Sequence, residues 1–235
     1  MRTRKQLRTA IRLALCCGLA LSGPAASAPQ PMFNAAQIVK WEAWEFAGET
    51  DYSLVPGTVA DSESARQVVR AACDDATASG LIHRKVVDLT RTPVMQWQWR
   101  VDQVYPALDE TTKSGDDYPA RIYVVAQRWP RWRSRVINYV WSSSQPRGHH
   151  WPNAYAGQFI MLAVQSGPEN TGRWHTEQRD LREDFKRLHD LDIEQIDAFA
   201  IMTDCDNAGH ETTAWYGPIK FLERNPAQSG TAARD

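Results

Sequence analysis

The densest group of chemically capable side chains lies in "FAIMTDCDNAG", Phe199 to Gly209. Asp204, Asp206 and Asn207 follow an apolar run and precede a glycine. On an extended backbone, Asp204 and Asp206 point to the same face. Two like charges so close raise one pKa unless a cation or donor sits between them. Arg100, Lys113, Arg121 and Arg179 are the available cations. Three chemistries suit the group: acid–base catalysis, ligand or cation binding, or a turn. In the turn, Asp206 or Asn207 bonds its own backbone and Gly209 takes a positive φ. An EF-hand is excluded. Counted from Asp204, Ala208 stands at position five and Trp215 at position twelve, where an oxygen ligand and a glutamate are required. A looser calcium site on Asp204, Asp206 and Asn207 with distant partners stays open.

A second polar knot is "KSGDDYPARIYV", Lys113 to Val124. Asp116 and Asp117 are adjacent, so in a strand only one faces a given site. Asp117 and Arg121 are spaced by an even number, which puts them on one strand face. The alternative is a surface loop leading into a strand. A third group, Ile137 to Tyr155, supplies Asn138 and Trp141. His149 and His150 do not read as a zinc site. Adjacent histidines on a strand diverge, and no cysteine has zinc spacing to them. The chain has no nucleophile elbow, phosphate-binding loop, zincin helix or dinucleotide fingerprint. Glycosidase chemistry needs only two carboxylates at a suitable separation, so it remains a rival.

Ten tryptophans are a high density, and aromatic faces stack on sugar rings and anchor interfaces. Trp97 and Trp99 read as core, and Trp41 and Trp44 as a packed first strand. Trp132, Trp151 and Trp215 stand in loop or strand-end contexts and are the binding candidates. "QRWPRWRSR", Gln127 to Arg135, is locally basic and reads as a solvated hairpin loop or a phosphate or lipid patch.

The elements that must position these groups are mostly strands. "VMQWQWRV" alternates, with Met95, Trp97 and Trp99 on one side. Arg66–Cys73, Leu81–Leu89, Ala120–Gln127, Arg135–Ser142, Gly157–Gly167, Gly172–Leu181 and two closing segments read as further strands. Leu181, Phe185 and Leu188 fall at helical spacing, which predicts one short helix. About nine strands and one helix predict an all-β, two-sheet β-sandwich.

The N-terminus reads as a leader. Arg2, Arg4, Lys5, Arg8 and Arg12 precede the apolar run Leu13–Leu21, and "ASA" ends at Ala28. This is a secretory signal peptide by pattern, with cleavage expected after Ala28. The apolar run is too short to span a bilayer, and no transmembrane segment is expected in the mature chain. The expected organisation is a leader over 1–28, one domain over 29–225 and a disordered tail over 226–235. The leader carries five basic residues and no acid, so its removal takes the formal charge from −1 to −6. A chain this acidic is a poor nucleic-acid binder. A periplasmic or secreted location permits disulfides. Cys73 and Cys205 are the two cysteines left, and spacing alone does not show that they meet.

"WEFAGETDYSLV", "DDYPARIYVV", "INYVWS", "RWHTEQRDLREDF" and "AIMTDCDNAGHETTAWYGPIKF" together resemble the exported bacterial proteins of domain-of-unknown-function family three-zero-four-seven. The resemblance runs from Trp44 to Phe221 and implies no established activity. The family pattern carries threonine at position 205 and a small polar residue near 73. The resemblance therefore implies a disulfide private to this chain and no catalytic cysteine. The last third is also similar to galactose-binding-like jelly rolls, including carbohydrate-binding modules. That likeness implies a jelly-roll fold and a carbohydrate or other small polar ligand. The site residues expected to hold it are Asp117, Arg121, Asn138, Trp141, Asp204, Asp206 and Asn207. No resident cofactor is expected, apart from the calcium left open above. The rivals are an envelope hydrolase using Asp204 or Asp206 as acid or base, and a partner-binding scaffold.

Overall fold

The computed structural model describes residues 30–57, 59, 67–106 and 108–225. The expected leader (1–28) and tail (226–235) lie outside the described residues. The strands are β1 (Met32–Phe33), β2 (Glu42–Ala47), β3 (Asp51–Pro56), β4 (Gln67–Cys73), β5 (Ala78–His83), β6 (Val87–Asp88) and β7 (Val94–Val101). The second half of the chain adds β8 (Ala120–Ala126), β9 (Arg135–Ser142), β10 (His150–Pro152) and β11 (Phe159–Ser166). It closes with β12 (His175–Asp180), β13 (Gln195–Ile196), β14 (Ala198–Asp204) and β15 (Thr212–Leu222). Helices α1 (Ala35–Ile38) and α2 (Leu181–His189) complete the chain.

The all-β, two-sheet sandwich predicted from the alternation is the fold observed. One sheet runs β12-β7-β15-β4-β3, with β1 also on β15, and the other runs β10-β11-β9-β8-β14-β5-β2. Pairing is antiparallel except between β9 and β11. Trp97 and Trp99 from β7 face Tyr139 and Trp141 from β9 across the interior. Phe199 meets Phe221 edge-on and Phe33 at a tilt. All of these side chains are buried, and large aromatic area removed from water is the main driving term.

Helix α2 is the short helix expected from Leu181, Phe185 and Leu188. Asp180 caps it by accepting from the Glu183 N–H. Buried Asp184 accepts from Tyr139 Oη at 2.8 Å and from Arg179 Nε at 2.7 Å, which clamps the helix to the sandwich end. Helix α1 was not expected. A capping box, Asn34 with Gln37, forms it, and the periodic pattern is too short to show it.

The predicted strand Leu81–Leu89 is also revised. The strand ends at His83, and the sheet takes in Ala78, Ser79 and Gly80 ahead of the predicted start. Their small size allows this. A Cβ on Gly80 would stand 2.6 Å from the Ile201 carbonyl oxygen of neighbouring β14.

Cys73 at the end of β4 is bonded to Cys205 just past β14, with Cα atoms 6.0 Å apart. The bridge joins the two sheets across 132 residues of sequence. Cross-links over long loops restrict the unfolded chain most. Replacing both cysteines with serine is expected to lower unfolding free energy by about 2–5 kcal/mol, read from urea melts of the oxidised parent and the variant.

Candidate functional site

The site lies on the outer face of the seven-stranded sheet, on the side away from the sandwich core. Arg121 on β8 pairs in register with Met202 on β14. Asp204, two residues further along β14, therefore shares its face. Arg121 donates from Nε to Asp204 Oδ1 at 2.9 Å, and Nη2 forms an ion pair with Oδ2. Nη2 also donates to the Asp116 carbonyl oxygen at 2.7 Å, and Nη1 to Tyr123 Oη at 3.2 Å. The guanidinium lies 4.4 Å from the centroid of the Tyr118 ring. Burial works against the charge on Arg121, but the surrounding acids and phenols outweigh it and its pKa is raised. Of the four cations proposed to neutralise the acids, Arg121 is the one that does so. Arg100 pairs with Asp102 and Arg179 with Asp184.

Asp117 does not sit beside Arg121 on the strand as its spacing suggested. It precedes β8, and its carboxylate bonds the turn after β14 instead. Its Oδ2 accepts the backbone N–H groups of Asn207 and Ala208 at 2.7 and 2.5 Å, and its Oδ1 accepts the Asn207 amide at 3.2 Å. The turn after β14 is thus held by a carboxylate from a distant segment. Gly209 takes φ 66°, as that turn requires. The Asp117 loop depends on Gly115, where a Cβ would stand 2.0 Å from the Asp109 carbonyl oxygen.

A cavity of about 360 Å³ opens over these groups. Its polar lining is Asp116, Arg121, Asn153, Asp204, Asp206 and Asn207. Phe46, Tyr123, Tyr155 and Phe159 supply aromatic walls. Phe46 and Tyr155 are 55 % and 60 % exposed and stand at the rim, with the Lys113 ammonium over the Tyr155 ring at 5.2 Å. Phe46 leans on Trp44 at 4.8 Å, and Trp44 on Tyr123 at 5.4 Å. Asn153 organises the far wall. Its Nδ2 donates to both Asp116 oxygens at 2.9 Å, and its Oδ1 accepts the Tyr155 and Ala156 N–H groups at 2.9 and 3.1 Å. Phe46, Asn153, Tyr155 and Phe159 were missed from sequence. For Asn153 a signal existed in the turn-forming "PNAYAG". For the others only the sheet order brings them in.

Five of the seven expected residues gather here: Arg121, Asp204, Asp206 and Asn207 in the lining, and Asp117 behind it. Two do not belong. Trp141 pairs with Ala120 and points into the core, against Trp99. Asn138 shares the face of Tyr123, its register partner, but is fully buried outside the lining. Three residues apart on one strand, the two could never face one pocket. Trp151 is also buried, donating from Nε1 to the Glu110 carbonyl oxygen at 3.1 Å. Half-buried Trp215 packs under Arg100 on the other sheet.

Carboxylate oxygens of Asp117, Asp204 and Asp206 approach within 4.8 Å of one another, close enough to share an ion. The donor set is already engaged, however. Asp204 is taken by Arg121 and the Tyr118 N–H, and Asp117 by the turn. Only Asp206 is exposed. Burial, then the charge and hydrogen bond of Asp117, push the pKa of Asp206 from 3.8 to about 6.

Residues 39–220 match one family over more than half of the chain, and the fold just described is that of a β-sandwich domain. The chain belongs to the family described as Protein of unknown function (DUF3047). No curated protein matches it. Among solved structures it is similar to the family 11 carbohydrate-binding module of the cellulosomal cellulase Lic26A-Cel5E of Clostridium thermocellum. Identity is 10 %, the TM-score is 0.46, and 85 % of this chain and 97 % of that chain are covered. The same module in complex with a β-1,3-1,4-mixed-linked tetrasaccharide gives 9 % identity and a TM-score of 0.45, covering 84 % and 98 %. A family 12 xyloglucanase from Bacillus licheniformis gives 7 % and 0.37, covering 78 % and 100 %.

Two outcomes follow from the acid cluster. Removing Arg121 leaves Asp204 buried and unpaired, so Arg121→Met is expected to cost about 3–5 kcal/mol in a urea melt. The folded pKa of Asp206 lies above its unfolded value, so the folded state holds the extra proton between pH 3.8 and about 6. Its contribution to stability is present below that window and is lost as pH rises through it. Asp206→Asn should therefore flatten the fall in stability over that range and be more stable than the parent at pH 7, as read from thermal melts across pH.

Proposed function

We propose that this protein binds a carbohydrate non-covalently in the outer-face cavity, the favoured class being a cell-envelope glycan. The observation that carries this reading is the union, in one cavity, of exposed aromatic rings at the rim with a fixed polar floor. Phe46 and Tyr155 offer rings for the apolar faces of a sugar. Asp206 and Asn207 offer acceptors and a donor for hydroxyls, while Asn153, its own bonds all made within the wall, holds Asp116 and the Tyr155 turn in place. Arg121 and Asp204 lock the floor before any ligand arrives, which keeps the ordering cost of binding low. The basic-then-apolar N-terminus and the Cys73–Cys205 bridge support work outside the cytoplasm.

A resident metal has no role in this reading, because Arg121 already supplies the cation among the acids. Binding measured on a glycan array and then by calorimetry should be unchanged by EDTA. Phe46→Ala and Tyr155→Ala should each weaken it about fivefold, on the order of 1 kcal/mol. Unchanged affinity in both variants would place the sugar elsewhere. The pKa of Asp206, raised to about 6, favours one second reading, a hydrolase with Asp206 as the acid. Turnover of a bound glycan, abolished by Asp206→Asn, would establish that reading. Binding retained in the variant without turnover in either form would support the binding module.

A further inference from the structure

We propose that the loop between β8 and β9 is a membrane-docking tip that seats on an anionic phospholipid surface. Trp129 and Trp132 in this loop are 85 % and 71 % exposed. Among the described residues, these are the most exposed of the large hydrophobic side chains. They alternate with exposed Arg128, Arg131 and Arg133, and no acid falls between Gln127 and Arg135. None of these three arginines forms an ion pair among the described residues. The glycan site and the core use none of these five side chains.

The tip is held in shape rather than left loose. Arg135 Nη1 donates to the Arg133 and Ser134 carbonyl oxygens at 3.0 and 3.1 Å. Ser134 Oγ accepts the Arg128 N–H at 3.0 Å and closes the base. A fixed loop carrying two free indoles and three free guanidinium groups suits a flat interface. Indoles settle at the depth of lipid headgroups, and arginines are drawn to anionic ones. Charge complementarity decides for the bilayer. The chain is acidic once its leader is discounted, and the tip offers a negative surface a run of basic side chains, with the nearby acids Asp192, Glu194 and Asp197 set back at its base. From Arg121 at the cavity floor to Gln127 the strand runs about 20 Å, and the Phe159 wall, level with Val136, is the part of the cavity nearer the tip.

The test is vesicle co-sedimentation of the full chain, as its host processes it, with phosphatidylglycerol–phosphatidylethanolamine or phosphatidylcholine vesicles. Two variants are compared with the parent: Trp129→Ser with Trp132→Ser, and Arg128→Gln with Arg131→Gln and Arg133→Gln. All carry the same N-terminus, so any contribution from residues 1–28 cancels. The parent should partition onto the anionic vesicles with a blue shift in indole emission, and more weakly as salt rises. Each variant should lose about tenfold or more of that partitioning, with an unchanged melting temperature because the altered side chains are exposed. Phe46→Ala should bind vesicles like the parent. Equal partitioning of parent and variants, equal binding to phosphatidylcholine, or no vesicle binding would overturn the proposal. Displacement by millimolar inorganic phosphate would also overturn it, by revealing a site for single anions. Retention of the tip by a protein partner in place of vesicles would do the same.

Discussion

Burying a charge is costly unless it is paired and fully bonded, and the outer face of this sandwich is organised around that constraint. Arg121 and Asp204 are both buried. Each solves the other's desolvation, and the remaining guanidinium protons go to the Asp116 carbonyl and the Tyr123 hydroxyl. Such a pair adds little net stability compared with an apolar replacement. What it specifies is geometry. The strands β8 and β14 and the loop before β8 are pinned to one point, with Asp116 one bond and Asn153 two bonds from it.

The same economy appears in the turn after β14. Asn207 and Ala208 have backbone N–H groups facing inward, and the Asp117 carboxylate satisfies both. Cys205, one residue past the strand, is covalently tied to the opposite sheet. The two devices fix the segment that carries Asp206 from both sides. Asp206 itself reaches the cavity surface, and its partial burial, then the neighbouring Asp117 carboxylate, hold its proton more tightly than usual. The acid cluster is therefore three carboxylates with structural duties, Asp116, Asp117 and Asp204, and one that is free to meet a ligand.

Aromatic residues divide between two tasks. Trp97, Trp99, Tyr139 and Trp141 fill the space between the sheets. Phe46, Tyr123, Tyr155 and Phe159 stand on the outer face, where one side of each strand would ordinarily be polar. Phe46 and Tyr155 come from strand β2 and the loop between β10 and β11, on opposite sides of the sheet order. Only the sheet brings them to the two walls of one cavity.

Alternation along β7, the apolar run into Asp204 and the spacing of Leu181, Phe185 and Leu188 made the sandwich and α2 legible in the sequence. These are local periodicities, and a strand or helix face is a local property. Asp204, Asp206, Asn207 and Arg121 could be singled out because charged residues interrupt apolar strands there. The sequence could not say that Arg121 neutralises Asp204 rather than Asp117, that Asp117 holds a turn, or that Trp151 is buried. It could not separate Asn138 from the cavity or add Asn153, Tyr155 and Phe46 to it. Those outcomes depend on which strands are neighbours and on the register between them. Neighbour order and register are settled by the packing of the whole core, which no single stretch of residues encodes.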